Sequence, residues 1–142
     1  MLSRYDYIIL DCPLNQGLLT VNALIAADGV IAPVTSEYLS MLGVSLLLKT
    51  IGELRTEANP KLQVLGVIHT RHSQGTIHAR EVMMRTNIEL SGNVRVFDKP
   101  IHESIRFAEA MGQGKTVFEL APEIEGAVVY KQIAKEVVHA TQ

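Results

Sequence analysis

The amino-acid sequence predicts an α/β fold in which a mostly parallel sheet is flanked by helices. Short, continuously apolar runs rich in Ile and Val alternate with longer segments whose apolar residues recur at helical spacing. Runs of the first kind are typical of strands buried on both faces, which occur mainly in parallel sheets. The connections are short, so right-handed crossovers would align the carboxyl ends of the strands along one edge of the sheet, where ligands bind.

The predicted elements follow one another in a regular order. The predicted strands are residues 7–10, 30–34, 64–68 and 94–97, and the predicted helices are residues 18–27, 40–58, 77–90, 102–111 and 126–140. Pro13 ends the first strand because a proline has no N–H for the ladder. Asn59 and Pro60 end the longest helix, since the residue before a proline disfavours helical angles.

Length, charge and cysteine content narrow the class of protein. With 142 residues and no repeat or linker-like stretch, we expect one domain over residues 1–142. The net charge of -2 gives no bulk support for binding DNA or an anionic membrane, although a local basic face stays open. Cys12 is the only cysteine, which excludes an internal disulfide and favours the cytoplasm. No apolar run approaches the roughly 20 residues of a membrane span.

The first apolar run ends in an aspartate, giving YIILD at 7–11, which is a Walker B pattern. A carboxylate at the tip of a buried strand is fixed in position, and such oxygens hold the hydration shell of Mg²⁺ beside bound phosphates. The pattern alone is weak, because an aspartate often ends a strand and opens a turn. Asp11 is therefore open to a purely structural role as well.

Stretches spread over the whole chain resemble the ParA/Soj/MinD-type partition ATPases. They are YDYIILDCP at 5–13, GLLTVNAL at 17–24, AD at 27–28, PV at 33–34, EY at 37–38, Gly43, GVI at 66–68, RFAEA at 106–110, GK at 114–115, GAVVY at 126–130 and AKEV at 134–137. The resemblance implies a P-loop NTPase fold of the deviant Walker, SIMIBI type. It also implies a role in chromosome or plasmid partition, with ATP hydrolysis as the family's activity.

In that family the phosphate loop lies upstream of the Walker B strand, so the resemblance implies that this chain is the C-terminal portion. We expect no ATP hydrolysis and no cofactor for the chain alone, whereas the intact family uses ATP and Mg²⁺. The favoured function is a non-hydrolysing interaction or DNA-associated partition module. The alternatives are a C-terminal fragment of an active ATPase that needs its N-terminal half, and a generic nucleotide-binding module.

One other stretch, GQGKT at 112–116, looks like the end of a phosphate loop. The full pattern G-x-x-x-x-G-K-[ST] needs a glycine at 109, where this chain has Glu109. The stretch also follows a predicted helix, whereas a phosphate loop leaves a strand. We therefore expect an ordinary loop here.

The resemblance carries family roles onto particular residues. Asp11 takes the Walker B position and would hold Mg²⁺ through water only if the missing half were supplied. Pro13 follows in the same turn. Thr70, His102 and Glu103 fall at positions beside the adenine base, where Glu103 reverses the charge of a family arginine. The resemblance thus implies a vestigial nucleotide site.

Four arginines are candidates for non-specific DNA contacts. Arg106 matches one family arginine, while Arg71, Arg80 and Arg85 lie near a second family position that Gly75 occupies here. The alternative is a solvated charged face. Any binding through so few phosphate contacts would be weak.

The family places its phosphate-loop strand beside the Walker B strand. A sheet without that strand has an unpaired edge, and unpaired edges recruit partners. We therefore expect a homo-oligomer or a complex with a full-length ParA-like protein. A ParB-like protein and DNA are further partners, in the cytoplasm or on the nucleoid, and no membrane association is expected.

Overall fold

The computed structural model describes residues 4–13, 17–35, 38–72, 81, 83–84, 88, 90 and 94–141. The elements in these ranges are α1 (Leu18–Ala26), β1 (Gly29–Thr35), α2 (Tyr38–Glu57), β2 (Gln63–Thr70), α3 (Ile105–Gly112), α4 (Val117–Leu120) and α5 (Glu125–Ala140). Residues 81, 83, 84, 88 and 90 are also helical. The predicted α/β class is confirmed. Among the helices described, none combines the length and apolar character needed to cross a membrane.

The described sheet is parallel throughout. β1 and β2 pair in parallel along their whole length. On the other side of β2, the Val67 N–H donates to the Arg95 carbonyl at 2.9 Å, and the Phe97 N–H donates to the Val67 carbonyl at 2.9 Å. Val96 thus forms a single parallel bridge with Val67 in place of the predicted strand 94–97. β2 is therefore the inner strand of the described sheet.

Helices cover both faces of the sheet. One core cluster, from β1, β2, α2 and the helical residue at 90, consists of Ala32, Val34, Val44, Val67 and Leu90. The cluster on the opposite face consists of Ile68, Phe97, Ile101, Val129 and Ile133. A third joins α1 to α2 and consists of Leu24, Ile51, Leu54 and Leu62. Because Val67 and Ile68 are consecutive in a strand, their side chains point to opposite faces, so α2 and α5 lie on opposite faces.

Residues 7–10 do not form the predicted buried strand. They have no regular secondary structure, and their side chains are exposed, from 47% for Tyr7 to 91% for Ile9. A strand forms only where a neighbour completes its backbone hydrogen bonds and covers its faces. In the part of the chain that the structure describes, no strand pairs with this segment. The prediction of a buried strand here is therefore wrong for this structure.

Two features of the later helices differ from the sequence prediction. α3 begins at Ile105 rather than at 102, because the Ser104 hydroxyl caps the helix by accepting the Arg106 N–H at 3.3 Å. α4 is not among the predicted helices, although Thr116 and Glu119 have the T-x-x-E spacing of a capping box. That spacing is the sequence signal that could have located it.

Candidate functional site

At the carboxyl edge of the sheet, the segment 101–103 lies alongside the residues that follow β2. The His72 N–H donates to the Ile101 carbonyl at 3.0 Å, and the Glu103 N–H donates to the His72 carbonyl at 3.3 Å. Parallel topology places such segments at the edge where ligands bind. The ladder brings together the three residues predicted to lie beside a base: Thr70, His102 and Glu103.

Arg71 and Glu103 form an ion pair at this edge. The Arg71 guanidinium contacts Glu103 Oε1 through Nε at 3.3 Å and through Nη2 at 3.2 Å. Arg71 has φ +50°, in the left-handed region that non-glycine residues seldom adopt. Both side chains are more than half exposed, so the pair contributes at most about 1 kcal/mol to stability. Its main consequence is electrostatic, because Glu103 offsets the positive charge that a phosphate would seek.

His102 lies between the His72 carbonyl and Glu125, the first residue of α5. Its Nδ1 is 3.1 Å from the His72 carbonyl oxygen, which can only accept, so Nδ1 carries the proton. Its Nε2 is 3.9 Å from Glu125 Oε2. The rings of His72 and His102 are 5.3 Å apart and inclined by 54°. Both ring nitrogens of His102 thus face oxygens of the protein, and the side chain lies between the 101–103 segment and the start of α5. Sequence reasoning missed Glu125, for which no motif gave a signal.

Asp11 lies on the exposed segment that precedes α1. The Thr20 hydroxyl of α1 donates to the Pro13 carbonyl at 3.3 Å, which ties the end of this segment to the helix. Among the described residues, no hydrogen bond or ion pair joins Asp11 to the residues of the carboxyl edge. Nor do the described His, Cys, Asp and Glu side chains include a group of three or more that could hold a metal ion.

Of the four arginines proposed to contact DNA, the structure describes Arg71 and Arg106. Arg106 Nη1 lies 2.7 Å from Glu109 Oε2, one turn along α3. Arg80 and Arg85 lie outside the described residues. Because each described arginine already pairs with a carboxylate, the two add little positive potential to the surface.

The stretch GQGKT at 112–116 lies between two helices. α3 ends at Gly112, Gly114 turns the chain with φ +64°, and Thr116 precedes α4. The Glu119 carboxylate accepts hydrogen bonds from the Thr116 N–H and from the Thr116 hydroxyl, both at 2.8 Å. A protein carboxylate thus occupies donors that a phosphate would need, and a helix rather than a strand leads into the turn.

These bonds predict the titration of Glu119. Its pKa should lie below the ordinary 4.5, chiefly because the Thr116 N–H and then the Thr116 hydroxyl stabilise the carboxylate, with Lys115 assisting. A lowered folded-state pKa means that the stabilisation is present above the unfolded pKa and is lost as pH falls through the folded pKa. An NMR titration of the carboxyl carbon checks this. Thr116→Val removes only the hydroxyl and should move the midpoint part of the way back towards 4.5, so an unchanged midpoint would contradict the assignment.

The sequence of this chain is similar to those of several known proteins. The profile of a family described as AAA domain matches residues 1–64. An uncharacterized protein of Mycobacterium tuberculosis is 41% identical over 97% of this chain and 43% of its own length. The chromosome-partitioning ATPase Soj of Thermus thermophilus is 38% identical over 97% of this chain and 55% of its own length. The chromosome partitioning protein ParA of Caulobacter vibrioides is 31% identical over 94% of this chain and 49% of its own length.

Two solved structures resemble the fold. Cobyrinic acid a,c-diamide synthase of Mycobacterium smegmatis, solved with an ATP analogue and magnesium, has a TM-score of 0.75 and 28% identity over 98% of this chain and 50% of its own. Apo McdA from Cyanothece has a TM-score of 0.73 over 84% of this chain and 48% of its own, and its 19% identity supports the fold alone.

Fold and comparisons together define the class as an α/β protein of the P-loop NTPase type. Within that class, the chain is similar to the ParA/Soj-type partition proteins over 94–97% of its length, in agreement with the resemblance seen in its sequence. The chain spans about half the length of the curated relatives it matches.

Proposed function

We propose that this chain acts as a non-hydrolysing interaction module of a ParA-type partition system. The observation that carries the proposal is the exposed apolar surface of residues 7–10 and of the nearby Leu18 and Leu19 on α1, which are 76% and 72% exposed. Several large apolar side chains exposed to water over so short a stretch are typical of a protein contact. Two relatives are named as partition proteins, which supplies the biological setting.

The described residues do not by themselves fit Mg²⁺ and ATP. Asp11 lies on an exposed segment, Glu103 offsets the charge of Arg71, and the described acidic, histidine and cysteine side chains form no metal-holding group. The Mycobacterium smegmatis enzyme was solved with an ATP analogue and magnesium, and Soj is named an ATPase. We therefore assign ATP and Mg²⁺ to an intact domain, in which Asp11 would hold the metal through water, and propose none for the chain alone.

The test combines turnover with partner binding. The purified chain, incubated with ATP and Mg²⁺, should release no phosphate above the protein-free blank. The same preparation should bind immobilised full-length Soj of Thermus thermophilus in biolayer interferometry. Phosphate release that Asp11→Asn abolishes would show that the chain is itself an ATPase. Either that result or the lack of any binding to Soj would overturn the proposal.

A second candidate function is one half of an active partition ATPase. It is favoured by the match of nearly the whole chain to about half of each relative. Coexpression with the remaining part of Thermus thermophilus Soj should then give a complex that hydrolyses ATP, and Asp11→Asn should abolish that activity. A complex that forms but shows no turnover would favour the interaction module instead.

Other partners are proposed from the same setting. They are a second copy of this chain, a full-length ParA-type protein and a ParB-like protein, in the cytoplasm or on the nucleoid. DNA binding should be weak and should depend only shallowly on salt, because Arg71 and Arg106 each pair with a carboxylate and few phosphate contacts remain.

A further inference from the structure

Arg71 is the most accessible of the arginines that pair with a carboxylate in the part of the chain that the structure describes. Its side chain is 74% exposed, compared with 50% for Arg95 and 55% for Arg106. Arg95 is also held from a second side, because its guanidinium lies 4.9 Å from the centre of the Phe97 ring. Of the three guanidinium groups, that of Arg71 is therefore the one that a ligand from solution can reach most easily.

The backbone of Arg71 has a conformation that is common at ligand sites. Its φ of +50° lies in the left-handed region, which residues other than glycine seldom adopt. Residues in such sparsely populated conformations cluster at active sites and ligand-binding sites. Arg71 directly follows β2, at the carboxyl edge where α/β sheets bind ligands. Position and backbone conformation therefore both indicate a role for this side chain beyond stability.

The contact between Arg71 and Glu103 uses the groups with which arginine binds phosphate. Nε and Nη2 of Arg71 lie 3.3 Å and 3.2 Å from Glu103 Oε1. The N–H groups of a guanidinium form a planar fork that fits the oxygens of carboxylates and phosphates alike. Glu103 therefore occupies two of the donors that a phosphate would use.

Backbone contacts hold these two residues together without the help of the ion pair. His72, which follows Arg71, donates its N–H to the Ile101 carbonyl at 3.0 Å, and the Glu103 N–H donates to the His72 carbonyl at 3.3 Å. His102 Nδ1 lies 3.1 Å from the same His72 carbonyl oxygen. Removal of the carboxylate charge should therefore free the Arg71 guanidinium without moving either segment.

We propose that Arg71 is a phosphate-binding residue and that Glu103 is its intramolecular competitor. A phosphate that reaches Arg71 displaces the Glu103 carboxylate, and the ion pair forms again when the phosphate leaves. An exposed ion pair changes such an equilibrium by at most about fivefold, so Glu103 weakens phosphate binding without preventing it. The phosphate belongs either to the backbone of a nucleic acid or to a free polyphosphate. This role goes beyond the interaction module proposed above and does not depend on binding to Soj.

DNA binding by a charge-neutralised variant tests the competition. Glu103→Gln keeps the shape of the side chain and removes its charge, so it should raise the affinity for a short fluorescein-labelled DNA duplex about two- to fivefold. Because one phosphate contact is gained, the slope of log K against log salt concentration should steepen by about 0.9. Fluorescence anisotropy at several salt concentrations measures both quantities.

Glu53→Gln on α2 is the matched control. Glu53 pairs with Lys49 at 3.9 Å, and these side chains are 59% and 73% exposed, close to the 56% and 74% of Glu103 and Arg71. The substitution makes the same change in net charge near the end of α2 that leads into β2, away from the carboxyl edge. Affinity and salt slope should stay near those of the parent chain. An equal gain from both substitutions would show an effect of bulk charge and would overturn the proposal.

A second substitution assigns the gain to Arg71. Arg71→Gln should weaken DNA binding little in the parent chain, where Glu103 masks the guanidinium, but it should abolish the gain of Glu103→Gln. Equal losses in the two backgrounds would mean that Glu103 does not restrain Arg71, which contradicts the proposal. Thermal unfolding should stay close to that of the parent chain for every variant, because all of these side chains are exposed.

Sodium pyrophosphate distinguishes a free phosphate ligand from a nucleic acid. In NMR spectra of Glu103→Gln, the Arg71 Nε–H resonance should shift at about two- to fivefold lower pyrophosphate concentration than in the parent chain. Such a shift supports binding of a free phosphate group, and a gain with DNA alone supports a nucleic acid as the source of the phosphate. No gain with either probe overturns the proposal, while binding to immobilised Soj would still support the interaction module.

Discussion

Replacing Ile51 with alanine should lower the free energy of unfolding by about 2–5 kcal/mol. Ile51 is 2% exposed and lies in the cluster that joins α1 to α2, where it packs with Leu24, Leu54 and Leu62. The truncation removes apolar contacts and leaves a cavity that the neighbours fill only in part. Because this cluster is what holds α1 against the rest of the domain, the loss should appear as a lower midpoint of global unfolding.

Two control variants on the same helix distinguish the loss of core packing from the effect of a smaller side chain as such. Ile51→Val removes one methyl group and should cost about 0.5–1.5 kcal/mol. Leu46→Ala truncates a side chain that is 53% exposed and should change stability by no more than about 0.5 kcal/mol. Urea titrations followed by circular dichroism measure all three, with the slope of each titration compared. A loss for Ile51→Ala as small as that for Leu46→Ala would contradict the packing seen here.

The sequence predicts correctly those elements that have a periodic apolar pattern and whose apolar residues are buried in the structure. β1, α2 and β2 lie within a few residues of their predicted bounds because their apolar faces pack against the described core. Residues 7–10 carry a signal like that of β1, yet they are exposed. A strand takes its stability from a neighbour, and the periodicity of one segment does not reveal whether that neighbour is present. The reduction of 94–97 to one bridge has the same cause.

The candidate site was predictable only in its placement. Parallel topology and the family resemblance together bring Thr70, His102 and Glu103 to one edge. They do not show that Glu103 pairs with Arg71 or that His102 reaches Glu125, because such contacts depend on side-chain positions that no motif encodes. The T-x-x-E spacing at Thr116 did encode a helix start, and it explains why the GQGKT stretch is a cap rather than a phosphate loop.

Replacing Asn59 should destabilise the domain nearly as much as a core truncation. Its Nδ2 lies 3.0 Å from the Leu24 carbonyl oxygen, 3.0 Å from that of Ile25 and 2.8 Å from that of Ala27. Carbonyls at the end of a helix lack partners within it, so the two amide protons are shared among three acceptors. Asn59→Ala should cost about 1–3 kcal/mol in the free energy of unfolding. Asn59→Asp keeps the shape but sets an anion beside the same oxygens and should cost more.

Asn59→Asp should lose more free energy of unfolding than Asn59→Ala, and this difference should depend on pH. That dependence distinguishes an electrostatic cause from lost packing. The neighbouring carbonyl oxygens disfavour the charged form, so the pKa of the introduced carboxyl is raised in the folded state. A raised folded-state pKa gives stability that is present at low pH and lost as pH rises through that pKa. The free energy of unfolding of Asn59→Asp should therefore rise relative to that of Asn59→Ala as the solution is acidified. Asn22→Asp makes the same charge change on the exposed face of α1 and should show no such gain. Thermal unfolding of the three variants across pH measures the difference, and curves for the two Asn59 variants that stay parallel at every pH would mean that the side-chain amide does not cap α1.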